Sequence, residues 1–202
     1  MVSHLRPAIV LIAVFTLLTG VIFPLGFIGF GKLAFPFQAG GSLIVQNGKV
    51  VGSALIGQNF TSDKYFHGRP SALMGTDPKD SSKQVATPYD ASESGASNLG
   101  PTSKALVDRV TGDVKAYHGA SVPGDAVTTS ASGLDPHISP ENAALQVDRV
   151  AKARNLSPEA VRAIVAAHTE APTLGFLGAP RVNVLAINLA LDATGGGAVA
   201  RN

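Results

Sequence analysis

From Pro7 to Gly31 the chain carries no charged residue and shows no polar face. Eleven Leu, Ile, Val and Phe residues lie between Ile9 and Phe23. A water-facing helix would need polar positions recurring along one side, and none recur here. As a helix the run reaches roughly 37 Å, against a hydrocarbon core of ~30 Å. Its apolar side chains favour insertion by about 3 to 7 kcal/mol. The run is longer than the apolar part of a cleaved signal peptide, and no A-x-A-like site follows it closely. The pattern therefore predicts an uncleaved transmembrane helix over residues 7–30, behind a short N-terminus at 1–6. Pro24, Gly26, Gly29 and Gly31 predict a kink or an end near the far interface.

Beyond Lys32 the pattern breaks into short alternations. Leu33 to Gln38 reads as an interfacial exit inside a linker at 31–41. Leu43-Ile44-Val45 and Lys49-Val50-Val51 flank Asn47-Gly48, the signature of a hairpin with a type I′ turn. A bulge at Gly52 would carry the second strand on toward Ile56. Residues 71–100 are dominated by Ser, Gly, Asp and Pro and predict a flexible insert. A helix capped by Thr102 or Ser103 is expected to run to His118, with Leu106, Val107, Val110, Val114 and Tyr117 on one face and Gly119 ending it. Ala126 to Thr129 reads as a short strand. Ser139-Pro140-Glu141 and Ser157-Pro158-Glu159 each place Ser at an N-cap, Pro at N1 and an acid in the first turn. The first of these helices should end at Asn155; the second should bury Ala160, Val161, Ile164 and Val165. Leu174 to Gly178 reads as a turn, Arg181 to Val184 as extended, Leu185 to Ala193 as helical, and 194–202 as a disordered tail. The expected fold class is α+β: a single N-terminal transmembrane helix followed by one mixed α/β domain over 42–193.

Composition narrows the functions open to such a chain. Charged residues make up 15% of it and the formal net charge is +2. No Lys/Arg cluster tracks a nucleic-acid backbone, so nucleic-acid binding is not expected. With no cysteine, disulfides, thiolate metal sites and a Cys nucleophile are excluded. Lys and Arg near the two ends of the helix are too evenly shared to fix its orientation.

Tests for catalytic chemistry return little. Gly95 to Gly100 has the two glycines of a phosphate-binding loop, but Pro101-Thr102 follows where Lys-Ser/Thr is needed, so a turn leading into a helix cap is the better reading. His4, His67, His118, His137 and His168 lack close-spaced ligand partners, and no metal site is expected. Ser132-Gly133 is no nucleophile elbow, because G-x-S-x-G is absent. Arg69 suits either an anion or a structural role on loop carbonyls. Gln146 reads as a helix-surface or core-bonding amide ahead of a ligand contact.

The order of motifs resembles the C subunit of the bacterial Kdp potassium-transporting ATPase. The residues that carry the likeness include Pro36-Phe37-Gln38-Ala39, Gly52 to Phe60, Tyr65-Phe66-His67-Gly68-Arg69-Pro70-Ser71, Ser130 to Asp135, Arg149 to Arg154 and Pro180 to Asp192. The resemblance implies a non-catalytic accessory subunit of a high-affinity potassium uptake complex. Its partners would be a potassium-channel-like subunit, a P-type ATPase subunit and the lipid bilayer. It implies the bacterial inner membrane, a cytoplasmic N-terminus and an extracytoplasmic domain. It also implies a catalytic chaperone that raises ATP affinity, with Gln146 as the nucleotide contact and ATP shared with the ATPase subunit. Those implications conflict, since an external domain does not reach cytoplasmic ATP; the membrane argument favours indirect coupling. Tyr65, Phe66, His67 and Arg69 are the expected partner-docking residues, combining aromatics with arginine. The alternatives are a membrane-anchored hydrolase, for which no nucleophile–base pair is visible, and an extracytoplasmic solute-binding or sensor module.

Overall fold

The computed structural model describes residues 2–117 and 121–194. The chain packs as two units, Met1–Ser53 and Ala54–Asn202. His118, Gly119 and the expected tail beyond Thr194 lie outside the described residues.

In the first unit a 3-10 turn, Val2–His4, leads into α1 (Leu5–Leu17), a π-helical turn (Leu18–Ile22) and α2 (Phe23–Ala34). Leu5–Ala34 is one apolar helix of 30 residues, none of them buried by the protein. At 1.5 Å per residue it is about 45 Å long, enough to cross a bilayer with tilt. The helix does not end at Pro24 or at the glycines after it. Pro24 has no N–H to give, and the π turn just before it takes up the mismatch. There Phe23 N donates to Leu18 O, five residues back. Phe35 breaks the helix, and α3 (Pro36–Ala39) leads to β1 (Leu43–Gln46) and β2 (Lys49–Ser53). Asn47 and Gly48 both have positive φ, as a type I′ turn requires. The bulge falls one residue earlier than Gly52. Ile44 pairs with Gly52 and Val45 with Val50, so Val51 is the extra residue. The strand stops at Ser53, whose hydroxyl donates to Gly41 O.

The second unit opens its regular structure with β3 (Met74–Asp77) and β4 (Asp80–Ala86), an antiparallel hairpin inside the segment expected to lack structure. Its strands are polar and mostly exposed, so no alternation of apolar positions announced them. Next comes α4 (Lys104–Ala116), with Ser103 at the N-cap position but no side-chain capping bond. None of its residues is buried, and Val107 and Val114 of the expected apolar face are exposed. Gly124–Val127 is a helical turn, α5, and not the start of a strand. Thr128 closes that turn, donating from both N and Oγ1 to Gly124 O.

The core is built by the elements that follow: β5 (His137–Ile138), α6 (Pro140–Arg154), α7 (Pro158–Ala167), β6 (Thr169–Glu170), β7 (Arg181–Asn183) and α8 (Val184–Thr194). The three strands form an antiparallel sheet in the order β5-β7-β6. Both Ser caps form: Ser139 Oγ accepts from Asn142 N and Ser157 Oγ from Ala160 N. Asn155 ends α6 in the left-handed conformation. Val147, Val150, Val161, Val182, Ile187 and Leu191 share one buried apolar cluster with Phe66, which is 0% exposed. Ala160, expected in this core, faces solvent, and Ile164 is partly buried against it.

Candidate functional site

The segment Asp63–Pro70 belongs to neither helix nor strand, yet two helices hold its backbone residue by residue. Phe66 N donates to Asn188 Oδ1 (2.8 Å), and Asn188 Nδ2 donates to Phe66 O (3.0 Å). His67 N donates to Gln146 Oε1 (2.8 Å), and Gln146 Nε2 donates to His67 O (3.1 Å). Two side-chain amides, from α8 and α6, thus do for consecutive residues what a neighbouring strand does in a sheet. This answers where the buried backbone groups of an irregular segment find partners.

Gln146 is 8% exposed and its amide is fully engaged. Its oxygen also accepts from Arg149 Nη2 (2.7 Å), and its nitrogen also donates to Asn142 Oδ1 (3.0 Å). Two acceptor and two donor positions are the whole capacity of a carboxamide. Asn142 in turn donates to Asp125 Oδ2, and that carboxylate also takes the N–H and hydroxyl of Ser139. Burial pushes the Asp125 carboxyl up, but these hydrogen bonds outweigh it and hold it below the usual carboxylate range.

Arginines complete the clamp. Arg149 Nη1 donates to Asp63 O and Tyr65 O, and Arg154 Nε donates to Lys64 O. Arg154 Nη2 also pairs with Asp192 (2.8 Å), which accepts from the Tyr65 hydroxyl (3.0 Å). Burial, together with the bond to Asp192, raises the Tyr65 pKa. The His67 ring is half-buried, 3.1 Å from Ser62 O and 3.4 Å from Arg149 Nη1. Burial and the Arg149 charge lower its pKa.

Of the expected docking residues, Phe66 is 0% exposed and belongs to the buried apolar cluster. Tyr65 donates its hydroxyl to Asp192 and carries the Arg154 guanidinium over its ring. Arg69 pairs with Asp135 (3.1 Å) and donates to Thr128 Oγ1 and Thr129 O, the structural alternative of the sequence reading. Its Nε is buried with no hydrogen-bond partner. Clefts open on both sides of Arg69. One, of about 360 Å³, is lined by Asp125, Asp135, His137 and Arg181; the other, of about 430 Å³, by Phe60, His67, Pro70 and Tyr89. The Tyr89 hydroxyl donates to Arg69 O (2.7 Å), and burial, with Asp135 nearby, pushes its pKa up to about 12. The ring packs so closely that a Cβ on Gly68 would collide with the hydroxyl. Among the described residues no group of three or more His, Asp or Glu is placed to hold a metal ion.

Sequence reasoning passed over Asn142, Asn188, Asp125 and Tyr89. One signal was present: Asn142 and Gln146 stand four apart on the buried side of α6, the spacing at which helical side chains meet. Nothing local could announce their target, since His67 is 79 residues from Gln146.

Residues 5–193 match the family described as KdpC: K+-transporting ATPase, c chain. The potassium-transporting ATPase KdpC subunit of Bradyrhizobium diazoefficiens is 61% identical over 196 residues, covering 95% of this chain and 98% of that one. The subunit of the same name from Rhodopseudomonas palustris strain BisB18 is 61% identical over 197 residues, 96% and 99% of the two chains. That of Methylobacterium nodulans is 57% identical over 200 residues, 97% and 100%. The match spans the apolar helix, the clamped segment and the amides that hold it, and the chain belongs to the KdpC family of K+-transporting ATPase subunits.

Proposed function

We propose that this chain is an anchored, non-catalytic subunit that joins and stabilises a potassium-channel-like subunit and a P-type ATPase subunit. Its helix sits in the bacterial inner membrane with the N-terminus cytoplasmic, and the domain at 42–193 lies outside. It raises the ATP affinity of the ATPase subunit indirectly, by favouring the partners' ATP-competent state. In this reading Gln146 holds the backbone of His67 as part of the fold, and is neither a nucleotide contact nor the element that sets ATP affinity. The family match supports the subunit reading, and the observation that favours indirect coupling over a direct contact is the saturation of the Gln146 amide by His67, Asn142 and Arg149. A direct nucleotide contact would have to break bonds that hold a buried segment in place.

The test is ATPase activity against ATP concentration for purified complexes. Omitting this chain should raise the half-saturating ATP concentration by roughly 5- to 150-fold, the range of ordinary coupling energies. Assembled complexes carrying Gln146→Ala should stay close to the unaltered value. A large rise in them, with assembly normal, would mean that Gln146 contacts nucleotide. The topology has its own check, since the chain has no cysteine. With the outer barrier opened, Ser94→Cys should react with an impermeant thiol reagent on intact cells and Ser3→Cys should not. The reverse pattern would restore the direct contact.

A further inference from the structure

The loop between β6 and β7 runs outward as a narrow hairpin. Thr173 and Leu177 exchange two backbone hydrogen bonds, each 2.9 Å, and Phe176 N and Gly175 N donate to Thr173 O and Pro172 O. Leu174 and Gly175 both have positive φ, +55° and +82°, the conformation of a type I′ turn. Asn, Asp or Gly normally fills the first of those positions, because a left-handed backbone crowds a larger side chain. Here it holds a leucine that is 79% exposed, next to Phe176 at 73% and Leu177 at 51%. The chain thus keeps a large apolar side chain where its own backbone disfavours one, and where no core rewards it. Strain retained at an exposed position is a sign of an external contact.

We propose that this tip is a docking anchor, seating Leu174, Phe176 and Leu177 in an uncharged apolar pocket on another subunit of the potassium-transporting complex. The inference rests on the chain being such a subunit, which supplies the partner. Charge selects the pocket. Residues 171–180 carry no charge, and Glu170 and Arg181 at the base neutralise each other at 2.9 Å. Binding to an anionic leaflet draws on free Lys and Arg around the apolar residues, and residues 171–180 supply none. The backbone of the tip is already hydrogen-bonded, so little ordering remains to oppose docking. A few rigid apolar side chains on a preformed turn suit the buried centre of a protein interface.

The test compares Leu174→Asn and Phe176→Ser with the unaltered chain in the whole complex. Asn accepts the left-handed turn, so the thermal midpoint of the full-length Leu174→Asn chain in detergent should hold or rise. Co-purification with the tagged ATPase subunit should nevertheless fall roughly tenfold or more. Undiminished co-purification of both variants overturns the proposal and leaves the subunit reading standing. If the unaltered chain itself fails to co-purify, the subunit reading falls and the anchor with it. Phe176→Trp then locates the tip, read as the difference spectrum against the unaltered complex, because this chain contributes no tryptophan of its own. Blue-shifted emission only in the assembled complex supports the proposal. The same shift for the chain alone in lipid nanodiscs, or one that grows with chain concentration in detergent, assigns the tip to the bilayer or to a second copy and overturns it.

Discussion

Two irregular stretches of this molecule look alike in sequence and do opposite things. Tyr65 to Pro70 and Thr173 to Gly178 each combine bulky apolar residues with glycine. In the first, Phe66 is 0% exposed within the buried core; in the second, Phe176 is 73% exposed at a hairpin tip. The difference lies in what surrounds their backbones. Phe66 and His67 present N–H and C=O groups to Asn188 and Gln146, so the segment can be buried without leaving polar groups unpaired. The tip satisfies its own backbone through the Thr173–Leu177 bridge and asks nothing of the rest of the fold. Whether an aromatic loop turns in or out is decided here by distant amides, and the loop's own composition does not report it.

Truncation of the two phenylalanines should separate the regions most sharply. Phe66→Ala empties part of the core and should cost about 3–5 kcal/mol. Phe176→Ala should change stability by no more than about 0.5 kcal/mol, as at other exposed sites. Denaturant unfolding of the full-length chain in detergent reads both. Equal losses would mean that the tip packs on its own domain and the comparison fails.

This division also explains what could be read along the chain. The apolar helix, the Asn47-Gly48 hairpin, the Ser139 and Ser157 caps and the left-handed Asn155 are local features, written in residues next to each other. The change from extended to helical after Arg181 was legible for the same reason, to within a residue. The hairpin at 74–86 was not, because its exposed polar strands follow no apolar alternation. Ala126 and Val127 read as strand by propensity, but Pro123 and the Thr128 bonds to Gly124 close a helical turn. At the site, Arg149 and Arg154 fit the negative end of α6, and their loop-carbonyl partners lie 84 to 90 residues earlier. Contacts over that distance leave no local pattern.

Removing the amides tests the clamp itself. Asn188→Ala orphans the N–H and C=O of buried Phe66, at about 1–3 kcal/mol for each unpaired group. Gln146→Ala should cost less in total, because His67 is only half-buried and water can reach part of the gap. Hydrogen exchange at Phe66 and His67 should accelerate in each variant while the α7 amides stay protected. Unchanged exchange at Phe66 in Asn188→Ala would show that something else holds the segment. At the tip the sign reverses: Leu174→Gly relieves a left-handed leucine and should stabilise by up to about 1 kcal/mol after the added freedom of the unfolded chain is counted.

The smallest effect is a pH dependence confined to the clamped side. Burial and Arg149 hold the His67 pKa below its ordinary 6.5, and burial and Arg181 do the same for His137. Above that value both rings are neutral in the folded and unfolded chains, and neither affects stability. As pH falls through about 6.5, the unfolded chain takes up protons first, so the folded state loses stability until the lowered folded values are passed. Asp125 acts in a separate window. Its depressed pKa contributes stability above 3.8 that disappears only in stronger acid. His67→Gln should therefore flatten part of the loss of stability that sets in below about pH 6.5 and leave the acid limb of Asp125 unchanged. No residue of the 171–180 tip titrates there, so Phe176→Ala should leave the whole profile superimposable on that of the unaltered chain. Thermal midpoints of the full-length protein across this range measure both. A slope that survives His67→Gln intact would assign the pH sensitivity elsewhere and remove His67 from the clamp's electrostatics.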